Sequence, residues 1–315
     1  MPTGPSLPRP APGGSPFDLD DDAAYRAWRA WKLAEQPRST RELCVDVADP
    51  TALAPAERAA LLGLCERCNM ALYQAPQRPA DTTVTRALAR QLGLHRLDAN
   101  WLADEDGISH IAVSGRSDGA GGFIPYTDRA IRWHTDGYYH PAARRIRAMV
   151  LHCVRPAAQG GANALLDPDL AYIALRDADP AWVRALMADD AMTIPERRDA
   201  DGVARAAEAG PVFSVEGRSL HMRYTARTRS IEWKADEATR GAVDFLSRWL
   251  DSDAAPVHRV RLAAGMGLAS NNVLHDRAAF SDDPQRPRLL YRARYLDRVA
   301  VLRPLAAMAQ PCPAA

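Results

Sequence analysis

Apolar positions along the chain fall into two regimes that meet near residue 105. In the first regime spacings of three and four predominate, the period of a helix with one buried face. A helix is expected to open at the acidic cluster Asp20 to Asp22, where carboxylates favour a helix N-terminus, and to carry Tyr25, Trp28 and Trp31. A second starts at Pro55, a residue suited to the first helical position, and runs to about Leu72. A third covers about Thr82 to Leu92 and stops at Gly93. Residues 1–16 hold six Pro and three Gly without apolar periodicity and read as a disordered leader.

Beyond residue 105 the period shortens to two. Ile108 to Gly115, Ala130 to Asp136 and Arg145 to Val154 are strand-like runs bounded by Gly, Pro or Asp. In the third run Ile146, Ala148, Val150, His152 and Val154 share one face. Two helices follow, each announced by Asp-Pro at Asp167-Pro168 and Asp179-Pro180. Glu216-Gly217 joins Val212 to Val215 and Leu220 to Tyr224 as a hairpin. A helix near Ala235 to Leu250 precedes the last strands, Val257 to Leu262, Gly267 to Leu274 and Leu289 to Leu296. The pattern predicts a mainly β fold with surrounding helices, a sandwich or jelly roll in a single domain over residues 17–315. Residues 17–105 would form its helical part and about 108–298 its core.

Composition narrows the function. The 315-residue chain has 40 Lys+Arg against 39 Asp+Glu, a net charge of +1 that supplies no broad attraction to nucleic acid or acidic membranes. No apolar run is long enough to span a bilayer, and no hydrophobic leader marks secretion, so a cytoplasmic protein is expected. Five scattered Cys agree with a reducing compartment. Cys65-x-x-Cys68 has the spacing of a redox or zinc pair. However, Leu61, Leu64, Cys65 and Cys68 follow the i, i+3, i+4, i+7 pattern of a buried face, and no second pair completes a site.

Candidate chemistry gathers around histidine. In His134-Thr135-Asp136, positions i and i+2 of an extended segment point the same way, so an imidazole and a carboxylate converge. Alone the motif is weak, since a surface turn before Gly137 would read the same. Its context sharpens it: Gly160-Gly161-Ala162-Asn163 lies downstream, and His275 ends an apolar run, with twelve residues between it and Arg288. Two His and one carboxylate on a β scaffold form a facial triad that leaves coordination positions open, as mononuclear Fe(II) oxygenases require.

With these residues in this order, the sequence resembles the taurine dioxygenase (TauD/TfdA) family of Fe(II)- and 2-oxoglutarate-dependent dioxygenases. The resemblance covers roughly residues 108–298 and implies a double-stranded β-helix, the jelly roll reached above. It implies that His134, Asp136 and His275 bind iron and that Arg288 pairs with the distal carboxylate of 2-oxoglutarate, a task suited to a planar guanidinium. Asn163 stands where the family usually has Thr or Ser, and its amide can donate to the same carboxylate. Arg292 matches an arginine that in some members holds an anionic substrate or supports the cosubstrate, and Tyr138 and Tyr139 are candidates for a substrate wall. The implied reaction is hydroxylation of a small anionic or zwitterionic metabolite by O2 with release of succinate and CO2. The chemistry is metal-centred, with no separate acid or base assigned.

Several alternatives stay open. A non-catalytic metal-binding jelly roll, structural or sensing, would use the same triad. A zinc hydrolase is disfavoured because no Glu lies between Glu105 and Glu196 to serve as general base. Strand alternation puts Arg288, Leu290, Arg292 and Arg294 on one face, so spacing does not separate these arginines, or nearby Arg286, in their roles. Arg277 reads as a supporting partner or a surface charge, His221 as packing or pocket, and His140 as a loop residue or one that faces the pocket. Members of the family often form dimers or tetramers, and a homo-oligomer is compatible with the aromatic first helix.

Overall fold

The computed structural model of the chain describes residues 14–98, 106–113, 124–199, 202–227 and 231–301. Most of the expected leader therefore lies outside the described residues, as do parts of the Ile108 to Gly115 run and the end of the helical part.

Two sheets form the core. The larger has six strands in the order Cys44–Asp46, Met70–Gln74, Met266–Ser270, Ala148–Arg155, Leu289–Tyr295 and Ser109–Ile111. The smaller has four, in the order His258–Val260, Asn163–Leu166, Leu274–Arg277 and Ile131–His134. This is the jelly roll that the alternating pattern predicts. Ala148–Arg155 is buried on both faces, which suits its apolar composition and its place between two partners. The hairpin forms as expected, Phe213–Glu216 against Ser219–Met222, with Gly217 at φ +59° in its turn.

Among the described residues, six α-helices flank the sheets. The first, α1 (Asp22–Ala34), is capped by Asp21, and its Tyr25, Trp28 and Trp31 are buried against this chain's own Phe17 and Tyr172. Next come α2 (Pro55–Cys68) and α3 (Thr83–Gln91). Asp167 and Asp179 cap α4 (Pro168–Ala178) and α5 (Pro180–Leu186), as the two Asp-Pro signals require. The last, α6 (Glu237–Leu250), is capped by Asp236.

The second helix is shorter than its periodicity predicts. Asn69 turns left-handed at φ +60° and ends it, and Met70–Gln74 becomes a strand between Cys44–Asp46 and Met266–Ser270. The first hundred residues are thus not purely helical: two of their segments extend the larger sheet. Cys65 and Cys68 are 1% and 0% exposed, and burial above all raises both thiols, that of Cys68 to about 12. Thiols held protonated in this way pack; they neither ligate nor attack.

Candidate active site

His134 ends the strand Ile131–His134, and His275 lies on its antiparallel neighbour Leu274–Arg277, directly opposite in the register. Their ring centroids are 4.1 Å apart. Asp136 follows two residues after His134 and brings its carboxylate to the same point. Among the described residues, potential ligand atoms of His134, Asp136 and His275 all lie within 4.8 Å of one another. The sequence pairing of His134 and Asp136 with distant His275 is thus realised by one strand ladder.

Local bonding orients each group. The Nδ1 of His134 lies 2.9 Å from the Arg132 carbonyl, and that of His275 lies 2.9 Å from the Val273 carbonyl. A carbonyl only accepts, so Nδ1 carries the proton in both rings and Nε2 keeps its lone pair for a metal. Burial and then the neighbouring His275 push His134 down to about 3, which keeps it neutral. Burial pushes the Asp136 carboxyl up, but the Arg292 and Arg294 guanidiniums overcome it and hold the group below the usual carboxylate range. Arg292 Nη1 reaches Asp136 Oδ1 at 3.2 Å, while Oδ2 is buried without a hydrogen-bond partner. Two imidazole lone pairs and one orphaned, ionised oxygen are a donor set that fits a divalent transition metal.

The backbone around Asp136 is fixed from two sides. Thr135, fully buried, donates its N–H to the Tyr224 carbonyl at 3.0 Å, and its hydroxyl accepts from the Tyr224 N–H at 3.1 Å. Asn272, at a left-handed corner with φ +55°, accepts from the Asp136 N–H at 2.8 Å. Its amide donates to the Asp136 carbonyl at 2.9 Å and to the Ile146 carbonyl at 2.7 Å. Neither role was visible in the spacing; an Asn at the end of an apolar run, tolerant of positive φ, is the one signal that marks Asn272.

The structure separates the four arginines. Arg288 is 4% exposed, its guanidinium lies over the Phe280 ring at 4.9 Å, and its Nη1 is buried without a partner. Arg292 bonds Asp136, as above. Arg294 is held by Asp98 Oδ2 at 2.8 Å and the Tyr139 hydroxyl at 3.1 Å. Arg286 is exposed. Arg277 donates to the carbonyls of Pro125, Thr127 and Arg129, a supporting task. Asn163 is half-buried opposite Arg277 and Val260 in the smaller sheet. The Gly160-Gly161 step lets Gln159–Gly160 pair with Phe280–Ser281; a Cβ on Gly160 would meet the Ala279 carbonyl at 2.4 Å.

Beside Asp136 opens a cavity of about 360 Å³. Tyr138 lines it, and so do His140, Arg145, Ser214, His221 and Arg223. His140 is therefore a cavity residue and not merely part of a loop. Tyr139 instead packs edge-on against Tyr138 and receives Arg294.

Residues 34–294 match the family model described as taurine catabolism dioxygenase TauD, TfdA family. The chain belongs to that family, and it is an Fe(II)- and 2-oxoglutarate-dependent dioxygenase acting on a small molecule. Among curated proteins it is 34% identical over 197 residues to a uridine-5'-phosphate dioxygenase of Streptomyces sp, covering 60% of this chain and 69% of that one. A second uridine-5'-phosphate dioxygenase, from Amycolatopsis sp, is 34% identical over 173 residues, 52% of this chain and 60% of that one. Among solved structures, asparagine oxygenase in complex with Fe(II), 3-hydroxyasparagine and succinate superposes with a TM-score of 0.56 at 16% identity, over 90% of this chain and 86% of that one. That likeness is one of fold.

Proposed function

We propose that His134, Asp136 and His275 hold the Fe(II), that Arg288 receives the distal carboxylate of 2-oxoglutarate with Asn163 beside it, and that the substrate is a nucleoside 5'-phosphate. The observation that carries the reading is the triad itself, with Asp136 Oδ2 buried and unpartnered between two imidazoles whose Nδ1 protons are already engaged. The substrate class rests on the two uridine-5'-phosphate dioxygenases and on an adjoining cavity lined by arginine and histidine.

When bound, Fe(II) and 2-oxoglutarate supply an oxidant that places one oxygen atom of O2 on a substrate C–H carbon, with succinate and CO2 released. The chain's own contribution is placement. Arg288, buried over Phe280 with an unpartnered Nη1, offers a fixed donor for a carboxylate. Arg292 keeps Asp136 ionised and turned, and Tyr138 closes one wall of the cavity. The same reading has residues 17–315 acting as one dioxygenase domain in the cytoplasm, in keeping with buried, free Cys65, Cys68 and Cys153. A dimer or tetramer would form through surfaces other than the aromatic face of α1, which this chain covers itself.

The test is anaerobic addition of Fe(II) and 2-oxoglutarate to the full chain, followed by O2 and uridine 5'-phosphate. A visible charge-transfer band and then substrate-dependent succinate are expected. Arg288→Ala should raise the 2-oxoglutarate concentration needed by about 10- to 100-fold, the loss of a charge-assisted pair. A protein that binds metal but gives neither band nor succinate would be the non-catalytic jelly roll instead.

A further inference from the structure

The cavity beside Asp136 is lined by several charged and titratable side chains. Ser214 and His221 face each other across the hairpin register, and both line the cavity. His221 is 7% exposed; burial first, and then the guanidiniums of Arg145, Arg298, Arg147 and Arg223, drive its imidazole well below its ordinary range. Four positive groups therefore act on one neutral ring. Glu216 answers two of them, meeting Arg145 at 2.7 Å and Arg147 at 2.6 Å.

Arg223 is answered differently. It is 6% exposed and donates to the carbonyls of Tyr138, Met192, Gly210 and Glu208, neutral acceptors that fix its position without cancelling its charge. Exposed Asp189 and half-buried Glu208 also line the cavity, but water screens them more than it screens the guanidinium. His140 Nε2, buried and without a hydrogen-bond partner, adds one more polar group to the same wall.

From this juxtaposition we infer that Ser214, His221 and Arg145, backed by the charge of Arg223, form an oxyanion subsite that seats the phosphate of a phosphomonoester substrate. A phosphate dianion offers acceptor oxygens to a hydroxyl and an imidazole N–H, a further anionic partner to the Arg145 guanidinium that Glu216 already pairs, and negative charge to a buried cation. The subsite rests on the triad as the Fe(II) centre, since only then does the cavity adjoin the reacting atoms. It gives the dioxygenase a means of selecting phosphorylated over free nucleosides.

The full chain, loaded with Fe(II) and 2-oxoglutarate under argon, is titrated with uridine 5'-phosphate, uridine, ribose 5-phosphate and inorganic phosphate, reading the perturbation of the charge-transfer band. The phosphate ester should bind at least about tenfold more tightly than uridine. Ser214→Ala, His221→Gln and Arg145→Gln should each bring that ratio toward one while leaving the band before titration unchanged. Arg145→Gln also breaks an ion pair, so the other two variants carry the test if it melts early. Ribose 5-phosphate bound with the same dependence on these residues supports the subsite even if the base is wrong. Equal binding of phosphate ester and uridine, no binding of any phosphate ester, or an unchanged ratio in well-folded variants overturns it. Failure of the triad reading shows separately, as absence of the band in the unaltered protein.

Discussion

At the scale of single residues, the site depends on groups that never touch a ligand. Asn272 grips both backbone polar groups of Asp136 and lies three residues before His275, so one amide ties the two halves of the triad together. Asn272→Ala should weaken Co(II) or Fe(II) binding by about 10- to 100-fold, the usual cost of losing a group that orients a ligand. Metal titration by spectroscopy or calorimetry reads this without turnover, and unaltered affinity in a folded variant would remove Asn272 from the site. The His134–Asp136 pairing was legible from its His-x-Asp spacing, although the strand ends at His134 and Asp136 stands in the turn beyond it. Arg288 was not separable from Arg292 and Arg294 because all three share one two-residue phase; what tells them apart is their partners, Asp136 for Arg292, Asp98 and Tyr139 for Arg294, and the Phe280 ring under Arg288.

At the scale of elements, the helices are held to the jelly roll by a buried charged knot. Lys32 on α1, 1% exposed, meets Asp167 at 2.7 Å and Asp169 at 2.6 Å at the start of α4. Asn69, the residue that ends α2, donates to both carboxylates. Lys32→Met would leave two buried acids with neutral donors and no cation, and a loss of about 3–5 kcal/mol is expected by chemical denaturation. A smaller loss would mean that the carboxylates simply take up protons. The Asp-Pro starts of α4 and α5 were legible because a cap and a preset φ are local properties. The end of α2 was not: Met70–Gln74 is a short apolar run that helix and buried strand fit equally, and its two strand partners decided between them.

At the scale of the whole molecule, buried neutral imidazoles set the acid limit of stability. His140 is pushed down to about 4, chiefly by burial and then by Arg294; His152 is lowered by burial, and His221 lies well below its ordinary value. Each takes up a proton more readily in the unfolded chain than in the folded one. Their contribution is therefore complete above about pH 6.5 and declines as the pH falls toward 4. Melting of the metal-free protein should be nearly level from pH 8 to 7 and drop steadily below 6.5, with a shallower drop in His221→Gln. A midpoint that holds steady down to pH 4 would contradict this.

His134 and His275 hang from paired positions of one ladder, and Asn272 knots the turn bearing Asp136 to the corner that precedes it. An ion seated there would act as a rivet through neighbouring strands. Binding it would therefore protect that seam, and resistance of the smaller sheet to fraying would rise with occupancy.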